Sequence, residues 1–427
     1  MKVHNKSNTS METLQWFVFL LASSVALPIV IGSVFELEFH EVAGLMQRTF
    51  FLVGLASLLQ GLFGHRLPIM EGPAGIWISI FTVMAMTGLQ HGTSLDKSLQ
   101  LIQTTMIVTG LFLLLFGLFK ISQFILPIFT PLVTGVFFFL LTVQLSGTFL
   151  QGMLGLQGDA STIQLDSATL AFMTFFIVLG LSIFGKGWIS NYAVLIGLAI
   201  GWLLYEWFIK PERTSTEMPV FQLPEVFAFG MPIFDVSVIP IAFITALILI
   251  SNVVASIVAV KQTLGSDILD IRSQVNKGTA FSGVSHGLAG MFSAIANVPL
   301  ATSAGFIGLT GQKKKMPFIY ASIVLMIVAL FPPIVAFISS IPSPIANAAL
   351  MASFVNLVGL AINNTTLEKL DTRKMTIVGV SYLFGMGAMF LPIEVFAELP
   401  SYLQNLLSNG LLVGTVLVIL LEQVWRE

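Results

Sequence analysis

Long apolar runs separated by short polar segments recur from one end of the chain to the other. A helix that crosses a bilayer needs about 20 largely apolar residues. The runs that meet this requirement lie near residues 14–35, 43–64, 98–119, 130–149, 168–185, 188–208, 238–260, 316–338, 344–362, 374–395 and 402–424. Three weaker runs, interrupted by Gly, Pro, Ser and Thr, lie near residues 68–88, 275–293 and 297–311. Together they predict an all-α integral membrane protein with fourteen transmembrane segments.

The distribution of Lys and Arg supports this count and orients the chain, because short cytoplasmic loops are enriched in these residues. With the amino terminus in the cytoplasm, Lys97, Lys210 and Arg213 lie outside and Arg48 lies within a span. The cytoplasmic set is Lys2, Lys6, Arg66, Lys120, Lys186, Lys261, Arg272, Lys277, Lys313, Lys314, Lys315, Lys369, Arg373, Lys374 and Arg426. We therefore predict a multi-pass plasma membrane protein with both termini in the cytoplasm.

Composition agrees with this class and narrows the function. The chain has 427 residues, of which 56% are hydrophobic and 9% charged, whereas soluble domains carry about 25% charged residues. The net charge of −2 gives no basis for nucleic-acid binding, and the three lysines at 313–315 are interpreted as a topology signal. There is no cysteine, no HExxH zinc motif and no pair of aspartates within the spans. An enzyme is therefore not expected.

A matched landmark in two segments predicts an internal duplication. Fourteen segments divide into two units of seven. Because seven is odd, the two units have opposite orientations in the membrane, which is the inverted-repeat architecture of many secondary transporters. The third segment reads LPIMEGPAGIWISI from Leu67 and the tenth reads VPLATSAGFIGLTG from Val298, so Pro68 matches Pro299 at a separation of 231 residues, from 68 to 299. The predicted organisation is a cytoplasmic tail at 1–12, a first repeat at 13–210, an outer connector at 211–236 and a second repeat at 237–427.

These two interrupted segments are the candidate binding site. Unwound backbone is tolerated at membrane depth only where it is buried in protein or lines a cavity. Paired interrupted segments at corresponding places in two halves point to a site near the middle of the bilayer, where half-helix amino ends face the ligand. The alternative is that the small residues only permit close helix crossing.

The tenth segment and its surroundings resemble the nucleobase:cation symporter-2 family, the group of uracil, xanthine and uric acid permeases and the nucleobase-ascorbate transporters. The family motif has Glu or Gln, Asn, any residue, Gly, four residues, Thr, and then Arg, Lys or Gly. Gly305, Thr310 and Gly311 match its last part, whereas Thr302 and Ser303 replace its first two residues. The segments IPSPIANAALM at 341–351 and LPSYLQNLLSNG at 399–410 are also similar to the family.

The resemblance implies a short extended strand followed by a half-helix in segments 3 and 10, with the two strands crossing between a core and a gate domain. It also implies that segment 8 contributes a substrate-binding glutamate, which aligns here with Asn252. An amide still donates and accepts hydrogen bonds but does not titrate. Since Asn252 and Thr302 are neutral, the proton mechanism of the family is not carried over.

Ionisable groups within the membrane are expensive and are functional candidates by default. Glu71 matches Thr302 under the 231-residue offset. It is either a relocated coupling or substrate-binding carboxylate, or it has a structural role as an acceptor for free N–H groups of segment 10 or as a partner for Arg48. For Arg48 we favour a structural role. His286 is a second ion-coupling candidate, with packing as its alternative, because histidine titrates near neutral pH.

The resulting hypothesis is that the protein is a nucleobase permease that works by alternating access. Its substrate is expected to be a purine such as xanthine, uric acid or hypoxanthine. Its alternative is a small-anion transporter of the same fold, similar to sulfate and bicarbonate carriers. No cofactor is expected, and H⁺ or Na⁺ are the candidate coupling ions. The partners are the base and the lipid bilayer, and a homodimer is compatible with the sequence. The candidate binding residues are Asn252, Ser256, Glu71, Ala74, Gly75, Trp77, Thr302, Ser303, Ala304, Gly305 and Phe306.

Overall fold

The structure is a computed structural model that describes residues 9–90, 92–128, 130–156, 162–209, 219–265, 271–396, 398–399, 403 and 406–425. The predicted tail at 1–12 is described only from residue 9, and Lys210 and Arg213 of the outer side lie outside the described residues. So do Lys2, Lys6 and Arg426 of the cytoplasmic set. The described chain is mostly helical, as the sequence predicts.

The helices of the first half are α1 (Thr9–Ser24), α2 (Ala26–Val34), α3 (Phe39–Leu62), α4 (Gly75–Gln90), α5 (Leu95–Leu118), α6 (Ser122–Ile125), α7 (Pro131–Met153), α8 (Leu165–Phe184), α9 (Trp188–Asn191) and α10 (Ala193–Phe208). Those of the second half are α11 (Val238–Leu264), α12 (Arg272–Met291), α13 (Thr302–Thr310), α14 (Lys315–Ala329), α15 (Pro332–Ser339), α16 (Ser343–Thr365), α17 (Thr372–Phe390) and α18 (Gly410–Val424). Two 3₁₀ turns lie at Leu126–Ile128 and Ile393–Phe396.

Seven of the described helical stretches are long and apolar enough to cross a membrane: Thr9–Val34, Phe39–Leu62, Leu95–Leu118, Pro131–Met153, Leu165–Phe184, Val238–Leu264 and Ser343–Thr365. The run at 316–338, predicted as one span, is instead broken into α14 and α15, which meet at an angle of 91°. The break precedes Pro332 and Pro333, which lie in the first turn of α15 and lack the backbone N–H groups that a continuous helix needs. Within the predicted run at 402–424, helix α18 begins at Gly410, where the Asn409 side chain accepts the N–H of Leu412.

One of the three weaker predicted segments, 275–293, lies in the continuous helix α12, and close packing explains its low hydrophobicity. Small residues let the backbones of α12 and α5 approach each other. A Cβ atom on Gly283 would lie 2.5 Å from the carbonyl oxygen of Gly110 and 2.8 Å from Cα of Leu114. This segment therefore serves a helix crossing and not contact with lipid.

The helices pack as two groups. In the first, α5 packs against α11 and α12, α3 against α12 and α14, α1 against α14, and α11 against α13. In the second, α7 packs against α16, α17 and α18, and α8 packs against α10 and α16. The two groups meet where α4 contacts α7 and where α2 contacts α16.

Two short strands lie inside the first group. The strand β1 (Glu71–Pro73) precedes α4, and β2 (Asn297–Pro299) precedes α13. They pair antiparallel, with Glu71 opposite Pro299, Gly72 opposite Val298 and Pro73 opposite Asn297. All six strand residues are buried. Each of the two interrupted segments is therefore a strand followed by a short helix.

Candidate functional site: two crossing strands and their half-helices

Backbone hydrogen bonds between the two segments extend beyond the paired strand residues. Beyond the paired residues, Ala74 N–H donates to the carbonyl oxygen of Ala296 at 3.2 Å, and Leu300 N–H donates to that of Met70 at 2.8 Å. Backbone groups at membrane depth need such partners because lipid offers none. The strand crossing is therefore a fixed element on which the rest of the site is built.

Serine hydroxyl groups supply the remaining partners. Ser57 on α3 accepts the N–H of Glu71 at 3.0 Å, and Ser303 on α13 accepts the N–H of Met70 at 3.0 Å. Ser256 on α11 donates to the carbonyl oxygen of Pro299 at 2.7 Å. Ser256 and Ser303 are almost fully buried. In this conformation the two predicted binding serines position the strands.

The strand register corrects the predicted match between the two segments. The strands begin 226 residues apart, from 71 to 297, and both end in proline, at Pro73 and Pro299. The proline that corresponds to Pro299 is therefore Pro73 and not Pro68, and Glu71 corresponds to Asn297 and not to Thr302. The offset of 231 residues was wrong because it aligned one proline of each segment without the hydrogen bonds that set the register.

One face of α13 is open. Thr302 and Gly305 are exposed, whereas Ser303 and Phe306 are buried. A Cβ atom on Gly305 would meet nothing within 4 Å. Ala304 is half-buried. The amino end of this half-helix is therefore accessible, and we call the space beside Thr302 and Gly305 the cleft.

The neighbouring helix α11 and the second group of helices also reach this region. On α11, Ala255 is exposed and Asn252 is half-buried, and α11 packs against both β2 and α13. At the start of α4, Ala74 is buried and Gly75 is half-buried. A Cβ atom on Gly75 would lie 3.5 Å from Cζ of Phe354 on α16, an aromatic residue that the sequence did not single out.

The two aromatic candidates do not border the cleft in this conformation. Phe306 is 2% exposed and packs against Trp16 and Phe19 of α1, with ring centroids 4.4 and 4.7 Å away. Trp77 is fully buried, and its indole N–H donates to Nε2 of His286 at 3.1 Å. Both rings are thus held by protein neighbours.

The same bond assigns the tautomer of His286. Because an indole nitrogen only donates, Nε2 of His286 accepts, and the ring hydrogen is on Nδ1. This hydrogen faces the carbonyl oxygen of Ser282 at 2.8 Å. Both ring nitrogens are occupied, so the geometry of His286 fits an orienting role for Trp77.

Glu71 and Arg48 do not pair with each other. The Arg48 guanidinium donates through Nε to the carbonyl oxygen of Ser293 at 3.1 Å and lies 5.2 Å from the centre of the Phe229 ring. The Glu71 carboxylate instead faces His65, with 3.5 Å between Oε1 and Nε2. The expected pairing of Arg48 with Glu71 was therefore wrong. His65 was not predicted because it lies between the apolar runs at 43–64 and 68–88.

A mostly helical bundle with several apolar helices long enough to span a membrane, and with two strand-and-helix segments that cross inside it, is the architecture of a membrane transporter. The profile of the family described as "Permease family" (Xan_ur_permease) matches residues 7–394. The chain belongs to this family, the nucleobase-ascorbate transporters, as the resemblance in sequence implies. It is a permease and not an enzyme.

Named relatives cover almost the whole chain. The protein is 34% identical to "Putative purine permease YwdJ" of Bacillus subtilis (strain 168), over 97% of this chain and 96% of the relative. It is 27% identical to "Xanthine permease" of the same organism, over 97% and 92%. It is 24% identical to "Uric acid transporter UacT" of Escherichia coli (strain K12), over 96% and 84%.

Solved structures show the fold. The transmembrane domain of the cyanobacterial bicarbonate transporter BicA aligns with a TM-score of 0.63 at 12% identity, over 96% of this chain and 98% of that domain. SLC26A9 aligns with a TM-score of 0.65 at 14% identity, over 97% of this chain and 66% of that protein. The similarity to these anion carriers, at 12% and 14% identity, extends to the fold alone. Since the family match is to the permeases, the small-anion alternative is not favoured.

Proposed function

We propose that this protein carries a purine base such as xanthine, uric acid or hypoxanthine across the plasma membrane by alternating access. The observation that carries the proposal is the crossing of β1 and β2 beside the open amino end of α13. The amino end of a half-helix at such a crossing presents the positive end of its dipole to a ligand. The names of the relatives support a purine as the substrate.

Recognition of the base would combine edge hydrogen bonds with aromatic contact. A purine edge presents both donors and acceptors, and the Asn252 amide and the Thr302 hydroxyl each offer both. Gly75, Ala304 and Gly305 leave room for a planar ring beside them, because they carry small side chains or none. Phe354 is the nearest aromatic side chain to Gly75 in the second group of helices. Ser256, Ser303, Ala74, Trp77 and Phe306 support this surface from behind.

The remaining organisation is part of the same proposal. Fourteen segments would form two inverted repeats, 13–210 and 237–427, with the connector 211–236 outside and both termini in the cytoplasm. The first group of helices, with the strands, would be the core domain, and the second group would be the gate. Movement of the gate past the fixed strand crossing would expose the cleft to each side in turn.

Competition uptake tests the substrate. In cells that lack their own carriers, unlabelled xanthine, hypoxanthine or uric acid should reduce the uptake of at least one labelled purine, and sulfate should not. A second measurement of the same uptake, after the proton gradient is collapsed, tests whether this gradient drives accumulation of the purine. Anion uptake without any uptake of a base would contradict the proposal.

The variant Asn252→Ala should weaken the apparent affinity for the transported purine by about tenfold, which corresponds to about 1.4 kcal/mol for the lost hydrogen bonds. The measurement is the KM of uptake at matched expression. Asn363→Ala is the control, because Asn363 is an exposed amide at the far end of α16. An unchanged KM in Asn252→Ala would remove this side chain from the binding surface.

A further inference from the structure

Hydrogen bonds of its backbone N–H and carbonyl groups fix His65 inside the protein. It lies in the turn between α3 and β1, where its N–H faces Oε1 of Gln60 at 3.4 Å and its carbonyl oxygen accepts from Nε2 of Gln274 at 3.3 Å. The next residue, Arg66, has a φ angle of 62° and is exposed. This tight turn directs the imidazole ring inwards and the guanidinium outwards. The His65 side chain is 0% exposed.

The hydrogen bonds of the ring assign its hydrogen to one nitrogen. Leu67 N–H donates to Nδ1 of His65 at 3.1 Å, so Nδ1 accepts and carries no hydrogen. The neutral ring therefore carries its hydrogen on Nε2, the nitrogen that lies 3.5 Å from Oε1 of Glu71. His65 thus places a donor beside the Glu71 carboxyl group, and among the described residues this donor has no other hydrogen-bond partner. Adding a second proton at Nδ1 would break the bond from Leu67.

Glu71 is a carboxyl group without other partners. Its side chain is 0% exposed, and among the described residues neither oxygen has a hydrogen bond. An unpaired carboxylate in an apolar interior is strongly disfavoured, and the group becomes neutral by taking up a proton. The loss of this proton is made less costly when the Nε2–H group of His65 closes on the carboxylate.

Two charged or titratable groups on the surrounding helices, Arg48 and His286, have partners of their own. Strand β2, which pairs with Glu71, has no titratable side chain. On α3, Arg48 binds the Ser293 carbonyl, and on α12, His286 binds Trp77 and Ser282. Lys315 at the start of α14 acts electrostatically on His65. The other charged side chains on the packed elements are Glu12 on α1, Glu41 on α3, Lys261 on α11, and Arg272 and Lys277 on α12.

We propose that His65 and Glu71 form a proton-binding site that couples transport of the base to a proton gradient, an inference that rests on the proposed function. The proton binds to a carboxylate oxygen of Glu71 and leaves it as an O–H bond is broken, while His65 stays neutral and donates to the carboxylate left behind. The site is mechanically linked to the cleft because Met70, the residue before Glu71, accepts from Leu300 and donates to Ser303 at the start of α13.

This site would supply the titrating group that the neutral residues Asn252 and Thr302 do not. The Glu71 side chain is buried and faces His65, whereas Thr302 and Gly305 face the open cleft. Glu71 is therefore assigned to coupling and not to contact with the base. Protonation would remove a buried negative charge from the core domain before the gate moves past it.

Purified protein in liposomes distinguishes coupling from transport. Exchange of labelled for unlabelled xanthine, or another transported purine, measures binding and movement without a driving force, and a pH dye inside the liposomes measures proton entry with the base. Glu71→Gln should keep exchange within about threefold of the wild type and lose base-dependent proton entry by about tenfold or more. The exposed Asp96→Asn on α5 is the control and should keep both.

The pH profile tests the role of His65. Removing its N–H in His65→Leu should strengthen proton binding at Glu71, and the pH at which driven uptake falls to half should rise by about one unit. His65→Gln, whose amide nitrogen replaces Nε2, should restore the profile towards that of the wild type. A merely structural role for His65 would lower uptake at every pH without this shift, and that result would overturn the assignment of His65.

The possible failures are distinguishable. No exchange of any purine by the wild type would overturn the proposed function and the coupling site together. Exchange by the wild type with proton entry that persists in Glu71→Gln would overturn the coupling site alone. Accumulation that requires Na⁺ and proceeds without proton entry would also overturn it.

Discussion

Gly305→Phe should reduce uptake of the transported purine by about 100-fold or more while the protein remains folded. Gly305 lies on the exposed face of α13, and its missing Cβ would meet nothing within 4 Å, so the backbone tolerates a side chain there. A phenyl ring would occupy the cleft that the base needs. A loss of about 2.7 kcal/mol in binding is enough for a hundredfold effect.

The measurement is initial uptake at matched amounts of protein in the membrane, with the elution profile in detergent as the check on folding. Gly379→Phe on α17 is the matched control, because a Cβ at Gly379 would also meet nothing within 4 Å. The control should transport like the wild type. Normal uptake by Gly305→Phe would show that the base does not pass this face of α13.

The largest effect on stability is expected from a single methyl group. Gly283→Ala should lower the free energy of unfolding by about 3 kcal/mol, because a Cβ atom there would lie 2.5 Å from the carbonyl oxygen of Gly110 and 2.8 Å from Cα of Leu114. Both contacts are with backbone atoms, so α5 and α12 must separate. No side-chain rotation relieves the overlap.

Gly287→Ala provides the control on the same helix, one turn further along. A Cβ atom at Gly287 would meet nothing within 4 Å. Both variants gain the same helix propensity, about 1 kcal/mol in favour of alanine. Thermal unfolding in detergent should therefore give a lower midpoint for Gly283→Ala and an equal or higher midpoint for Gly287→Ala. Equal midpoints would show that the α5 and α12 backbones are not in contact.

The candidate site was predictable in part. Segments 3 and 10 stood out because Gly, Pro, Ser and Thr interrupt their apolar runs, and the structure does place a strand and a short helix in each. Their register was not predictable, because it depends on hydrogen bonds between residues more than 220 positions apart, from Glu71 to Pro299. The 231-residue offset consequently matched Glu71 with Thr302, whereas the strands match it with Asn297.

Single side chains were harder to assign than segments. Ser256 and Ser303 were polar residues at the right depth, but only the structure shows that their hydroxyl groups bind backbone atoms of Pro299 and Met70. Trp77 was an aromatic residue in the right segment, but its indole faces His286. The direction of a side chain depends on the packing of its neighbours, which periodicity along the chain does not contain.

The sequence by itself determined that this protein is a multi-span membrane permease, because the bilayer imposes a length and an apolar composition that can be read one segment at a time. It also located the two interrupted segments. Only the tertiary structure decided which residues face the cleft and which pair with each other. His65 and Glu71 are six positions apart along the chain, yet their contact depends on a turn at Arg66 and on hydrogen bonds that join the His65 backbone to Gln60 of α3 and Gln274 of α12.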